Sequence, residues 1–431
     1  MRRFFLVGML SLLGVPAAAD LVSAQNRVPW RASYFPYLIG NPSTGVMLVG
    51  HYQLGRQADY DARVPFDGVF SVDGGASAQG SRMLTAKFRG PLLLPGWRFS
   101  ADVGAIREAR YGYSLANIAG RYDPQDSAST FPGDADQYDR VHRSRYYGRV
   151  EVTRRVSGPL HLAGMFGVEQ VAWTRMPGAS FFRGAYGDGL RQTDVGGRLS
   201  VVFDARDREF LTEKGVLAEA GLLFGSGGEQ SFGDVIQVGS YSGWYAHLRG
   251  YVSPRHGTLL AARVAARSVD PVATLQARNT LPGWEAGVDA LGGASAHRSF
   301  RPGRMAGRGL LLGSVEVRHN LLDVGDYGAV TLLGFVDGGR VFEREPFKLT
   351  TRGWKVGGGG GVALRVLQSA LLTFNFAGGP DGFTFSMGSS LIRHGIRSIT
   401  SHSTAFFSRM LSTARMLFTV FGDLTSSCAF N

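Results

Sequence analysis

The chain is short of cysteine, of lysine, of charge and of long apolar runs, and each shortage closes a class of protein. One cysteine, Cys428, in 431 residues excludes a disulfide scaffold and leaves no partner for a thiolate metal site. A mean hydropathy near zero, with no long apolar run beyond the N-terminus, excludes a bundle of membrane helices. There is no G-x-S-x-G elbow, no H-E-x-x-H and no Walker loop, so the chain does not read as an enzyme and calls for no cofactor or metal. Charged residues are only 19% against 44% apolar, while glycine is plentiful at 61. That is about twice its usual share of roughly 7%. In helix interiors each glycine would cost about 1 kcal/mol against alanine, and without a G-X-Y period collagen is excluded.

The basic balance, 46 Lys+Arg against 34 Asp+Glu, is almost all arginine; Lys87, Lys214, Lys348 and Lys355 are the lysines. These arginines form no tail and no helical stripe, as a nucleic-acid binder would need. They alternate instead with apolar residues. The N-terminus reads as a signal peptide, residues 1–19: Arg2 and Arg3, an apolar stretch from Phe4 to Val15, and the small residues Ala17-Ala18-Ala19 before Asp20. The protein is therefore expected to leave the cytoplasm, where nucleic acid is no partner.

Period two dominates the rest. Trp97, Phe99, Ala101 and Val103 alternate with Arg98, Ser100, Asp102 and Gly104. Val195, Gly197, Leu199, Val201 and Phe203 alternate with Gly196, Arg198, Ser200, Val202 and Asp204. Such segments run about 9–15 residues, which suits tilted transmembrane strands. The pattern predicts an all-β fold, a 16-stranded antiparallel transmembrane β-barrel of the outer membrane over residues 30–391. Its strands are expected near 30–39, 44–56, 67–80, 82–92, 97–111, 141–156, 160–175, 194–206, 215–226, 237–252, 256–268, 308–320, 327–338, 354–366, 370–378 and 381–391. Long links at 112–140, 176–193, 269–307 and 339–353 then all fall on the outer side, and short turns such as Ser157-Gly158-Pro159 on the periplasmic side. The stretch Gly225-Ser226-Gly227-Gly228 reads as an outer loop, and Gly357 to Gly361 as glycines relieving crowding within a strand.

Three stretches are more specific. Asp204-Ala205-Arg206-Asp207, followed by Gly215, joins two strands through a periplasmic turn. Its simplest reading is a charged turn at the membrane rim. Leu291-Gly292-Gly293 and His297-Arg298-Ser299-Phe300 lie in the longest late link. Phe335, Asp337 and Gly339 form an F-x-D-x-G run, and Glu316 precedes it on the polar face of its strand. In this order they resemble the outer-membrane barrel of the bacterial surface antigen superfamily, which includes the insertase BamA, the translocation factor TamA and the two-partner secretion transporters. The resemblance covers residues 195–391 and implies that His297, Arg298, Ser299 and Phe300 form the tip of a sixth outer loop folded into the lumen. It further implies that Arg298 pairs there with Glu316 and Asp337.

The chain departs from the family pattern at Ser299, where the family has glycine, and at His297, where it has valine. If the glycine serves an unusual backbone angle, Ser299 is expected to strain the tip. The family's insertases and secretion transporters carry periplasmic POTRA domains before the barrel; this sequence leaves no room for one, so it resembles the barrel-only members. Residues 392–431, rich in Phe and Met, are expected to form either an amphipathic helix or a disordered extension.

The implied function is insertion or translocation of outer-membrane or secreted polypeptides, with a passive pore or a structural surface protein as the alternative. Expected partners are outer-membrane lipid, lipopolysaccharide and client polypeptides, around a monomer in the outer membrane of a Gram-negative bacterium.

Overall fold

The computed structural model describes residues 29–57, 63–64, 66–112, 140–177, 182, 186–231, 234–284, 288–289, 291–324, 328–342, 353–366, 370–379 and 382–391. The expected signal peptide and the extension at 392–431 lie outside the described residues.

The strands are β1 (Arg31–Asn41), β2 (Gly45–Gln57), β3 (Phe66–Ser77), β4 (Arg82–Leu94), β5 (Trp97–Gly112), β6 (Arg140–Ser157), β7 (Leu160–Arg175), β8 (Gly189–Asp204) and β9 (Gly215–Ser231). They continue with β10 (Asp234–Arg255), β11 (Thr258–Val269), β12 (Thr280–Leu281), β13 (Val288–Asp289), β14 (Gly309–Asp323), β15 (Gly328–Phe342), β16 (Lys355–Val366), β17 (Ala370–Gly379) and β18 (Gly382–Leu391). All but β12 and β13 join, in chain order, into one closed antiparallel barrel, β1 meeting β18. Its sixteen strands are those expected from the alternation. Closure brings the first and last strands together, and the ladders between consecutive strands bond the backbone within the sheet, as crossing lipid requires.

β7 shows how the alternation works. Leu162, Phe166 and Val168 are exposed on the outer wall, while His161, Ala163, Val171 and Trp173 are buried inside. An outward apolar side chain meets acyl chains, so exposure of these residues to the surroundings is favourable.

One expectation changes. Gly225 to Gly228 is not a loop: it continues β9, Gly225 opposite Tyr241 and Gly228 opposite Val238. β9 has 17 residues and β10 has 22, against about 9–11 needed to cross, so this hairpin is longer than a crossing requires. Glycine carries no side chain to mark a face, so the alternation stops before the strand does. The lumen, moreover, is not polar throughout. Tyr111, Val141, Val171, Trp173 and Leu190 form an apolar cluster with Phe182, Leu275 and Ala306. These inward residues are matched to the link between β11 and β14, which folds inside.

That link contains the helix α1 (Leu275–Arg278), capped by Thr274, whose Oγ1 accepts from Ala277 N at 3.2 Å. It also contains the β12–β13 hairpin. Its Leu281, Leu291, Ala296, Phe300 and Met305 pack against Leu310, Leu312 and Ala265 of the wall. The core of this protein therefore lies in its lumen, between the barrel and its own sixth outer loop.

Candidate functional site

The loop's return limb is a tight turn, with Gly293 N donating to Phe300 O at 2.8 Å and Phe300 N to His297 O at 3.1 Å. It points Arg298 at β14 and β15. Arg298 Nε donates to Asp337 Oδ2 at 2.9 Å and its NH2 to Asp337 Oδ1 at 2.8 Å, a two-pronged pairing. The backbone N–H of Arg298 also reaches Asp337 Oδ2 at 2.9 Å. Its NH1 donates to Glu316, and its NH2 to Ser314 Oγ at 3.1 Å. Ser314 Oγ in turn donates to Asp337 Oδ1 at 2.6 Å, and Thr384 Oγ1 of β18 donates to Arg298 O at 2.7 Å. The guanidinium carbon lies 3.5 Å from the ring centroid of Phe335, a cation held over a π face.

The structure thus brings together Arg298, Glu316, Asp337 and Phe335. Asp337 is fully buried; a carboxylate there needs its charge and lone pairs met, and Arg298 with Ser314 does both. His297 is also fully buried, its Nε2 3.1 Å from Lys355 O and its ring 4.6 Å from that of Phe300. Gly339 faces Leu291 of the loop, where a Cβ would come within 3.0 Å of Leu291 Cδ1.

Ser299 does not strain the tip. Among the described residues the one non-glycine with positive φ is Leu211, so Ser299 has an ordinary backbone. The room it needs comes from the wall: a Cβ on Gly357 would overlap Ser299 Oγ and Cβ, and one on Gly379 would lie 2.7 Å from Ser299 Cβ. The glycine run of β16 serves the loop as well as the sheet.

The turn motif is at the other end of the barrel, apart from the loop tip. Asp204 and Arg206 are buried rather than solvated at a rim. Arg206 Nε donates to Asp204 Oδ1 at 2.9 Å and NH2 to Oδ2 at 3.2 Å, and Arg63 NH2 lies 3.1 Å from Asp204 Oδ2. Asp207 Oδ1 accepts from the backbone N–H groups of Arg208, Glu213 and Lys214 at 2.9, 3.2 and 3.4 Å. Gly215 has φ 113°, and a Cβ there would lie 2.7 Å from Arg206 Cα.

Sequence reasoning passed over the loop's other contacts. Trp284 N donates to Glu219 Oε2 at 2.7 Å, and Leu275 N to Glu229 Oε1 at 2.7 Å. Thr274 Oγ1 donates to Asp194 Oδ2 at 2.9 Å, and Arg267 NH2 to Arg278 O at 2.8 Å. The available signal was parity: Asp194, Glu219, Glu229 and Arg267 are all charges on the inward face. Along the wall, Arg198 of β8 bridges Glu151 of β6 and Glu219 of β9, donating to Glu219 Oε1 at 2.9 Å.

This geometry can be set beside known proteins. The chain resembles the crystal structure of BamA from Haemophilus ducreyi lacking POTRA domains 1-3, with TM-score 0.49 and 12% identity, covering 85% of this chain and 70% of that one. It resembles CdiB from Escherichia coli with TM-score 0.50 and 13% identity, over 85% of this chain and 64% of the other. For CdiB from Acinetobacter baumannii the TM-score is 0.43 and the identity 12%, over 84% and 65%. No curated protein matches it in sequence. Residues 69–390 match the model of the Omp85 superfamily domain. The chain belongs to the Omp85 superfamily.

Proposed function

We propose that this barrel helps outer-membrane or secreted polypeptides to insert into or pass the outer membrane of a Gram-negative bacterium. Export through the signal peptide would bring it there, and it would work as a monomer among lipid and lipopolysaccharide. The observation that carries the reading is the seam. Among the described residues, β1 and β18 share a single registered pair, Gly40 with Met387. β1 and β2, by contrast, are paired continuously from Arg31↔Gly55 to Asn41↔Gly45. A seam with so little ladder opens at low cost, and the edges it exposes template a client strand. In this reading Arg298, with Glu316 and Asp337, locks the loop inside while the seam works. Asp204, Arg206, Asp207 and Gly215 brace the periplasmic end.

A photocrosslinker at Leu38 or Phe385, on the two seam strands, tests this in cells, with mass spectrometry of the adducts. Capture of unfolded outer-membrane or secreted chains is expected. Capture of lipid and the protein's own strands alone would overturn the reading. It would favour the second one, a passive pore or structural surface protein, which draws on a lumenal cavity of about 660 Å³.

A further inference from the structure

The Arg298 lock grips the wall made by β14, β15 and β18, and the loop's descending limb is fastened separately to the opposite wall. Trp284, 8% exposed, is the fastening. Its backbone N–H donates to Glu219 Oε2 of β9 at 2.7 Å and its indole Nε1 to Thr153 Oγ1 of β6 at 3.0 Å. Its ring stacks on His161 of β7, centroids 5.7 Å apart, and Arg98 of β5 lies over the ring with its Cζ 4.8 Å from the centroid. Arg98 is held in turn by Glu209 of the β8–β9 turn, NH2 to Oε2 at 2.7 Å. Ala163, Val202 and Leu217 complete an apolar seat.

The position matters as much as the contacts. The loop leaves β11 after Val269 and rejoins β14 at Gly309, both at the outer end of the barrel. Arg98, His161 and Leu217 stand at the beginnings of β5, β7 and β9, at the periplasmic end. The loop therefore traverses the lumen to seat Trp284 among these residues. Beside it is the cavity of about 660 Å³, whose walls include Asp102, Arg145, Arg149 and Glu169, and whose periplasmic end is lined by Glu209, Phe210 and Trp284. An indole has no lipid interface to seek inside a lumen. Here its apolar body and its single donor are both satisfied by the wall, which makes it a fitted stopper.

We propose that Trp284 is the periplasmic gate of the lumen. Seated, it closes the charged cavity to small ions and holds the descending limb independently of Arg298; displaced, it opens an aqueous path beside the loop. The proposal does not depend on client handling. The test is conductance of the purified full-length barrel in planar bilayers containing potassium chloride, with heat resistance in detergent gels as the check on folding. Parent protein should stay mostly closed, and Trp284→Ala should open at least about tenfold more often, the scale on which a lost seat shifts a two-state population.

Leu275→Ala, a buried loop residue packed at the outer end of the lumen, separates gating from general loosening and should behave as parent. A folded Trp284→Ala with the parent trace overturns the proposal, as does Leu275→Ala opening equally often. If Trp284→Ala fails to fold, Thr153→Val decides, because it removes only the acceptor of the indole N–H: more frequent opening supports the gate and a parent trace overturns it.

Discussion

Arg298 is a loop residue whose charge is met entirely by the barrel wall. With Asp337 fully buried and Arg298 almost so, deleting the guanidinium strands a carboxylate, at a cost of about 3–5 kcal/mol. Arg298→Ala should therefore lower the urea midpoint and the heat resistance of the folded barrel. Arg191→Ala, on the exposed face of β8, should change stability by no more than about 0.5 kcal/mol. Equal losses in the two variants would show that the Arg298 pair contributes nothing. Ser299 supports a sharper test. Gly357→Ala overpacks the site, which typically costs about 1–3 kcal/mol, and adding Ser299→Gly should recover part of the loss because the two side chains occupy one space. Strict additivity in that cycle would mean that Gly357 answers only to its own sheet. Arg298, Glu316 and Asp337 were legible in the sequence because motif order marks them. The dependence of Ser299 on Gly357 and Gly379 was not, since those glycines belong to strands far along the chain.

At the scale of elements, unequal pairing sets where the barrel gives way. The β9–β10 ladder runs from Ser231↔Asp234 to Gly215↔Tyr251, whereas among the described residues β1 and β18 meet at one registered pair. Protection from exchange follows such ladders. In deuterium exchange of the barrel in lipid, the seam-facing amides of β1 and β18 should exchange well before those of β9 and β10. Equal protection would mean a closed seam. Strands were legible as elements because a period of two is local and the face toward lipid is apolar in alternation with a more mixed inner face. Strand ends were not legible where glycine takes over, as at Gly225 to Gly228. The helix α1 and the hairpin β12–β13 were missed for another reason. α1 is a single short turn, and its Leu275 N and Thr274 Oγ1 are held by Glu229 and Asp194, so it forms against the wall rather than by its own propensity.

The barrel is apolar outside and, unusually for a polar lumen, partly apolar inside. The two demands are distinct: lipid solvates the outer residues, while Leu291, Phe300 and Trp284 of the loop need a protein wall. Phe166, 53% exposed near the middle of β7, should mark mid-bilayer. Phe166→Arg is expected to cost about 2–4 kcal/mol, read as lost refolding yield into lipid vesicles. No loss would place that face away from hydrocarbon.

What the sequence determined by itself was the number of barrel strands, their order, which face of each meets lipid, and the motifs of the loop tip, because each is written in a few neighbouring residues. Only the tertiary structure decided what fills the lumen, how Ser299 is accommodated, that Asp204 and Arg206 are buried, and where Trp284 comes to rest. Those outcomes join residues from strands widely separated in the chain, and nothing short of closing the barrel around its own loop brings them within reach.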